Sequence, residues 1–186
     1  MKVLIVLGSV LVILVSFAAR PTATKELRHG GTVKQQAIDL EVALASDKRR
    51  YNRNDDINLE VKLTNTHGTK DVFVYGTLEF GVRGSLMLYY RDAKGKEVPT
   101  QFFPEALTLP PKPDDTSAFV KLRPDHFLGT YYKPSIRMLN MVRPGRYRMW
   151  VEYDSPIPAA NASVSPFWGS EKETIKSNVL TIEVLP

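Results

Sequence analysis

Apolar and polar residues alternate with a period of two along several short stretches of the chain. The clearest stretch is residues 57–63, where every second residue is Ile, Leu or Val and the residues between are polar. The same alternation marks residues 38–44, 147–153 and 180–184. A period of two is typical of a β-strand that buries one face. No stretch of the sequence repeats its apolar residues as an amphipathic helix would.

Shorter apolar stretches lie between these strands, separated by residues that favour turns. The segments "DVFVYGTLEF" and "SAFVKL" predict strands, and "SLMLYYRDAKGKEV" predicts a hairpin that turns at residues 92–95. The segment "PTQFFPEALTLPPKPDD" is rich in proline, which cannot donate to a β-ladder, so it predicts an edge or loop excursion. About eight short strands without a helix indicate an all-β, antiparallel sandwich, with a closed barrel as the alternative.

The N-terminus has the pattern of an export signal. Lys2 precedes an unbroken apolar stretch, residues 3–15, and the small residues Ser16 and Ala18 follow. We therefore expect a signal peptide at residues 1–18, a polar lead-in at 19–36 and a β-sandwich domain at 37–186. Cleavage after Ala19 or Ala23 is the alternative for the cut. The mature protein would be periplasmic or extracellular. An uncleaved signal anchor, which would tie the chain to the membrane, is the alternative.

Composition limits how such a domain can be stabilised. The chain has 186 residues and no cysteine, so neither a disulfide nor a lipid-modified cysteine is available. The sandwich must hold together by burial alone. The net charge of +5 is carried by scattered basic residues, of which residues 48–53 are the densest group. A nucleic-acid partner is not expected, because the sequence shows neither a basic stripe nor a known binding motif.

The sequence carries no recognisable catalytic or metal-binding pattern. It lacks a cysteine nucleophile and a G-x-S-x-G turn, and His29, His67 and His126 fall in the lead-in and in two loops. Paired aspartates at residues 55–56 and 114–115 are typical turn residues without the ligand spacing of a calcium loop. We therefore expect no enzyme activity, no cofactor and no metal site.

The segment "RPGRYRMWVEY" resembles the tyrosine corner of immunoglobulin-like and fibronectin-III-like modules, with Tyr147 just after the Pro144–Gly145 turn. Residues 38–184 resemble a family of exported bacterial immunoglobulin-like domains, mostly without assigned activity. The best shared motif is Trp168-Gly169 followed by Ser177-Asn178. The resemblance implies an immunoglobulin-like sandwich of about seven to nine strands with long loops. It also implies structural roles for Gly145 and Tyr147, whose hydroxyl would bond to backbone upstream.

Aromatic residues in loops give the functional hint. The predicted binding residues are Phe127, Tyr131, Tyr132, Phe167 and Trp168. Exposed rings at the end of a sandwich form contact sites for proteins or glycans, because they bury a large area at little entropic cost. The sequence therefore predicts a non-catalytic binding or structural module that contacts protein, glycan or envelope material. A proteinase inhibitor acting through sandwich-end loops, or a small-molecule carrier if the fold is a closed barrel, are the alternatives.

Trp168 allows two interpretations. Residues 154–176 connect two predicted neighbouring strands, and this connection is too long for a hairpin loop. A large ring folding back over the open end of the sandwich would fix the loop, with Gly169 allowing the chain to turn beside it. Trp168 is therefore predicted either as a structural plug or as part of the binding surface.

The signal peptide gives the first test. N-terminal sequencing of the protein recovered from outside the cytoplasm is expected to begin at Ala19. Because the peptidase needs a small residue before the cut, Ala18→Tyr should block processing at this position, whereas Ala23→Tyr should not. Recovery of the exported wild-type chain with an intact Met1 would contradict cleavage and support the anchor.

Overall fold

The computed structural model describes residues 40–81, 84–98, 112, 114–172 and 174–186. The expected signal peptide and lead-in lie outside these residues. The described residues belong to one compact unit, Gln36–Pro186, and contain ten strands, two 3-10 turns and no α-helix. The strands are β1 (Leu40–Ser46), β2 (Arg50–Tyr51), β3 (Leu59–Asn65), β4 (Val72–Tyr75), β5 (Leu86–Arg91), β6 (Phe119–Leu122), β7 (Phe127–Tyr132), β8 (Gly145–Tyr153), β9 (Ile175–Lys176) and β10 (Leu180–Val184).

The strands form two main sheets and one short ribbon. The first sheet has the order β1-β3-β7, and the second has the order β2-β10-β8-β5 with β9 paired to β8. Strands β4 and β6 form the ribbon. The pairs are antiparallel except for β2 and β10, which run parallel. The predicted all-β antiparallel sandwich is confirmed, and the described strands do not close into a barrel.

The core lies between the two main sheets and follows the alternation seen in the sequence. In β3, Leu59, Val61 and Leu63 are fully buried, and in β8, Met149 and Val151 are fully buried. These residues belong to one hydrophobic cluster with residues from both sheets. Burying an aliphatic side chain of this size contributes about 1.5–3 kcal/mol relative to leaving it exposed. Residues from the early and late parts of the chain therefore stabilise each other without a covalent link.

The start of β8 carries the hydrogen bond that the resemblance implies. The Tyr147 hydroxyl donates to the backbone carbonyl of Arg143, four residues upstream, at 2.8 Å. Gly145 has a φ of 147°, a conformation that residues with a side chain rarely adopt. The turn before β8 therefore depends on glycine at position 145, and Tyr147 closes that turn from inside the sandwich.

Some elements differ from the sequence prediction. Ile57 is buried but precedes β3, which begins at Leu59. The parallel pairing of β2 with β10 has no signal in the sequence, because β2 contributes only two residues. Asp125, in the turn before β7, has a φ of 61°. Aspartate tolerates this left-handed conformation better than most residues with a side chain.

Ser177 and Asn178 join the two main sheets at the edge formed by β1. The Leu44 amide donates to Asn178 Oδ1 at 2.8 Å, and Asn178 Nδ2 donates to the Leu44 carbonyl at 3.0 Å. The side chain of Asn178 thus occupies both backbone groups of Leu44, as a neighbouring strand would. The Ser177 hydroxyl accepts from the amide of Val151 in β8 at 2.9 Å. The motif found in the sequence is therefore an inter-sheet connection.

This connection predicts the effect of changing Asn178. Asn178→Ala removes two hydrogen bonds, each contributing about 0.5–1.5 kcal/mol, and should lower the free energy of unfolding by about 1–3 kcal/mol. Asn178→Asp should cost at least as much at neutral pH, because its carboxylate would face the Leu44 carbonyl without a donor. Urea unfolding monitored by circular dichroism measures both changes.

The pH dependence separates the two Asn178 variants. The position disfavours the charged carboxylate, so the folded-state pKa of the introduced aspartate should be raised. Its unfolded pKa is about 3.9. The stability difference between Asn178→Asp and wild type should therefore be smallest below about pH 4, grow as the pH rises from there toward the folded pKa, and stay constant above it. Two variants that unfold like wild type at every pH would contradict the inter-sheet role.

Candidate functional site

Two of the predicted binding residues lie on the outer face of the first sheet, within strand β7 and not in a sandwich-end loop as the sequence predicts. Phe127 and Tyr131 are 56% and 77% exposed, and both project from the same side of β7. Gly129, between them on that side, adds no side chain. Strand β7 is the last strand of its sheet in the described residues. We call this surface, with Glu60 and Lys62 of β3, the aromatic face.

The residues of β3 hold the two rings of the aromatic face in place. Glu60 lies opposite Tyr131, whose hydroxyl donates to Glu60 Oε1 at 2.9 Å. Lys62 Nζ lies 3.0 Å from the same carboxylate oxygen and 5.2 Å from the centre of the Phe127 ring. The hydrogen bonds from Lys62 and Tyr131 lower the pKa of Glu60, and the bond to Glu60 raises the pKa of Tyr131. The carboxylate therefore stays charged; it bonds to Tyr131 directly, and its other partner, Lys62, lies over Phe127.

The other three predicted binding residues lie elsewhere. Tyr132 points to the opposite side of β7, where it is half-buried and stacks on Phe80 with ring centres 4.7 Å apart. Phe167 and Trp168 are only 6% and 4% exposed. The prediction that these three residues form an exposed surface is therefore corrected, because their rings pack within the domain. Only Phe127 and Tyr131 remain accessible.

The long connection between β8 and β9 docks on β4 and covers a second apolar cluster. The Phe73 amide donates to the Pro166 carbonyl at 2.8 Å, and the Trp168 amide donates to the Phe73 carbonyl at 3.0 Å. The Phe167 ring meets the Phe119 ring edge-on with centres 5.0 Å apart. The buried residues of this cluster are Tyr75, Phe119, Ile157 and Phe167. The loop is therefore fixed by its own apolar residues and by backbone pairing.

Trp168 belongs to the main core. Its ring packs against Tyr153 of β8 with centres 5.0 Å apart. Of the two interpretations of Trp168, its burial favours the structural plug. Gly169 does not adopt a left-handed φ. Its lack of a side chain instead lets the backbone of Ala159 pack closely against it. A Cβ at Gly169 would collide with the backbone nitrogen of Ala159 and lie 2.8 Å from the Ala159 Cα.

A second surface, which the sequence analysis missed, surrounds Trp150 on the outer face of the second sheet. The indole stacks on Tyr89 with ring centres 5.5 Å apart and planes at 10°. Lys176 Nζ lies 4.2 Å from the centre of the indole ring, and the Arg91 guanidinium carbon lies 5.2 Å from it. Arg148 joins them around a groove of about 170 Å³. Trp150 is 8% exposed because these long side chains cover it.

Further arginines extend this surface along β8. Arg146 lies two residues before Arg148, and its register partner in the sheet is Glu183 of β10. Glu183 forms an ion pair with Arg50 at 3.0 Å. Arg49, Arg50 and Arg146 line a neighbouring groove of about 210 Å³. We call this surface the basic row; its members are Arg49, Arg50, Arg91, Arg146, Arg148 and Lys176, with Trp150 among them.

The basic row had a partial signal in the sequence. Arg146, Arg148, Trp150 and Glu152 alternate with the apolar residues of β8 and therefore share its outer face. The remaining members come from β2 and the residue just before it, from β5 and from β9, which only the fold brings alongside β8. The basic residues are scattered along the sequence, but the fold gathers six of them on this face.

The described part of the chain contains no group of three or more His, Cys, Asp or Glu side chains placed to hold a metal ion. None of its helices has the length and apolar character of a membrane span. His67 is a turn residue, as the sequence predicts, since its Nδ1 accepts from the Thr69 and Lys70 amides at 3.2 Å.

Comparisons with known proteins give only distant similarity. No family model matches the chain, and no curated protein matches it. The β-glucosidase EmGH1 from Erythrobacter marinus aligns with a TM-score of 0.39 and 12% identity, over 80% of this chain and 16% of that one. A β-glucosidase from Listeria innocua in complex with glucose gives 0.38 and 12%, over 79% and 16%. The chain thus spans about a sixth of the length of these enzymes, and the similarity carries no argument about function.

The docked loop predicts the effect of adding one methyl group beside Trp168. Gly169→Ala should lower the free energy of unfolding by about 1–3 kcal/mol, because the new Cβ overpacks against Ala159. Gly68→Ala is the matched control, since a Cβ there meets nothing within 4 Å, and it should change stability by less than about 0.5 kcal/mol. Equal effects of the two substitutions in urea unfolding would show that the loop is not docked at Gly169.

Proposed function

We propose that this chain is an exported, non-catalytic binding module that contacts a protein or glycan partner through its aromatic face. The observation that carries the proposal is the pair of exposed rings, Phe127 and Tyr131, on one side of β7. Exposed apolar side chains that share one face are typical of a surface that a partner covers.

The geometry of the aromatic face supports tight contact. Tyr131 is held by Glu60 at 2.9 Å, and Phe127 lies beside Lys62. Aromatic side chains with few rotatable bonds lose little entropy when a partner covers them. A ring whose position is already fixed before binding loses even less entropy. The charged groups of Glu60 and Lys62 lie beside the rings and would supply polar contacts at the rim.

The form of the face supports binding rather than catalysis. A strand at the end of a sheet offers an open surface, whereas catalysis usually requires a concave site that excludes water and brings ionisable groups together. We therefore propose no substrate turnover, no cofactor and no nucleic-acid partner. The partner would meet the domain in the periplasm or outside the cell, where the N-terminal signal would direct it.

The family assignment is part of the same proposal. We infer that the chain is one of the exported bacterial immunoglobulin-like domains that its sequence resembles, and the Tyr147 hydrogen bond to Arg143 and the sandwich fold support this. The carrier alternative required a closed barrel and is not retained. The inhibitor alternative gains no support from residues 154–172, because that part of the loop is docked on β4 rather than protruding.

Partner capture tests the proposal. Immobilised wild-type protein is exposed to an envelope extract of the producing organism and to a glycan array, beside the variant Phe127→Ser/Tyr131→Ser. Retention of the partner by the double variant should fall about tenfold or more, as expected when central aromatic contacts are lost.

A matched variant controls for the loss of exposed apolar area. Met138 and Val142 are 44% and 43% exposed and lie outside the aromatic face. Met138→Ser/Val142→Ser should therefore retain the partner as well as wild type does. A partner held equally by wild type and by Phe127→Ser/Tyr131→Ser, or lost equally from both double variants, would refute the assignment of the aromatic face.

A further inference from the structure

The basic row contains cations that the domain itself does not neutralise. Arg91, Arg148 and Lys176 are exposed, and in the described part of the chain none of them forms an ion pair with a carboxylate. Three carboxylates are near: Asp92 lines the groove, where it accepts from the Lys94 and Lys96 amides, Glu152 accepts from the Trp150 indole at 3.1 Å, and Glu97 lies opposite Arg91 in an isolated bridge. Asp92 and Glu152 are engaged with other donors, and in the described residues Glu97 makes no ion pair with Arg91.

The register of the second sheet places like charges directly opposite each other. Arg91 of β5 lies directly opposite Arg148 of β8 in the sheet register. Like charges at directly opposed positions destabilise a sheet. Replacing either arginine would remove this repulsion, although replacing Arg91 would also remove its contact with the Trp150 ring. An anionic group bound between the two guanidinium groups would relieve the repulsion while both side chains are kept.

Trp150 supplies a flat surface beside these cations. One side of the indole is stacked on Tyr89, and the other is covered by the ends of Lys176 and Arg91. Long basic side chains move easily while their stems stay in place. When Arg91 and Lys176 turn toward an anion, the free side of the indole becomes available to the apolar face of a ligand ring.

The length of the basic row indicates a polymer rather than a small anion. Alternate residues of a strand are separated by about 6.6 Å, so the distance from Arg146 to the end of β8 beside Lys176 is about 20 Å. Two carboxylates lie among the cations. In the sheet register Glu152 lies opposite Lys176, and Glu183 lies opposite Arg146. Charges of both signs along such a row suit a ligand that has spaced anionic groups and hydroxyl groups between them.

We propose that the basic row binds an acidic polysaccharide, a glycan that carries carboxylate, sulfate or phosphate groups. Arg91, Arg148 and Lys176 bind the anionic groups, Trp150 packs against a sugar ring, and Glu183 and Glu152 accept from hydroxyl groups. Single-stranded nucleic acid fits less well: it has one charge per nucleotide, which the interleaved carboxylates repel, and it is bound by several stacking rings where this row offers one.

This second site is separate from the aromatic face. The two main sheets bury their inner faces against each other in one core, so their outer faces lie on opposite sides of the sandwich. The acidic-glycan site does not depend on the aromatic face or on the partner proposed for it. A domain with both sites would hold an acidic glycan on one side and a second partner on the other.

Tryptophan fluorescence of the purified protein tests the proposal, because Trp150 is one of only two tryptophans and lies in the site. The probes are dextran sulfate, polygalacturonate and, as the uncharged match, dextran. The two acidic polymers should change the emission and bind, more weakly as salt is added, and dextran should not bind. Arg91→Gln/Arg148→Gln should weaken binding about tenfold or more.

Three controls make the result specific. Lys70→Gln/Arg137→Gln removes the same charge from exposed positions outside the row and should change the affinity less than about twofold. Phe127→Ser/Tyr131→Ser should bind the acidic polymers like wild type, which separates this site from the aromatic face. A poly-dT oligonucleotide should bind more weakly than the polysaccharides.

Several outcomes would overturn the acidic-glycan site. These are the absence of binding to both acidic polymers, equal losses in Arg91→Gln/Arg148→Gln and Lys70→Gln/Arg137→Gln, and tighter binding of poly-dT. Circular dichroism of each variant verifies folding, and Arg148→Lys, which keeps the charge, should retain most of the affinity if an anion is bound there.

Discussion

Two β-sheets without a disulfide between them must exclude water from their shared interface by side-chain packing alone. The chain meets this constraint with strands in which every second residue is apolar and buried, most fully in β3 and β8. Three side chains stabilise the periphery of this interface. Tyr147 closes the turn before β8, Asn178 bonds to the backbone at the edge strand β1, and Trp168 covers the core beneath the long loop.

The same alternation places the remaining residues of these strands on the outer faces of the two sheets, where the core does not need them. On β7 the outward residues are Phe127, Gly129 and Tyr131, and on β8 they are Arg146, Arg148, Trp150 and Glu152. One outer face is therefore aromatic and the other is mainly cationic. A sandwich with chemically different faces is suited to hold two ligands apart at a fixed spacing, and this is how the exported binding module proposed above would connect envelope components.

The sequence predicts the strands best where one face is buried, because only then does apolar alternation appear. It predicts the burial of Leu59 and Val151 and, through the resemblance, the hydrogen bond of Tyr147. It predicts the candidate site less well. Tyr131 and Tyr132 are adjacent in a strand and must point to opposite faces, yet β7 lacks the polar alternation that shows which ring is exposed. The burial of Phe167 depends on a loop docking on β4, and the basic row assembles from four strands; neither feature has a local signal.

An alanine scan along β8, with unfolding free energies measured in urea, tests the central claim that alternate residues hold the fold and the others do not. Substitution of the inward residues should cost about 2–5 kcal/mol each; these are Tyr147, Met149, Val151 and Tyr153. Substitution of Arg146, Arg148 or Glu152 should cost less than about 0.5 kcal/mol. Similar costs at successive positions, or larger costs at the arginines, would contradict the account.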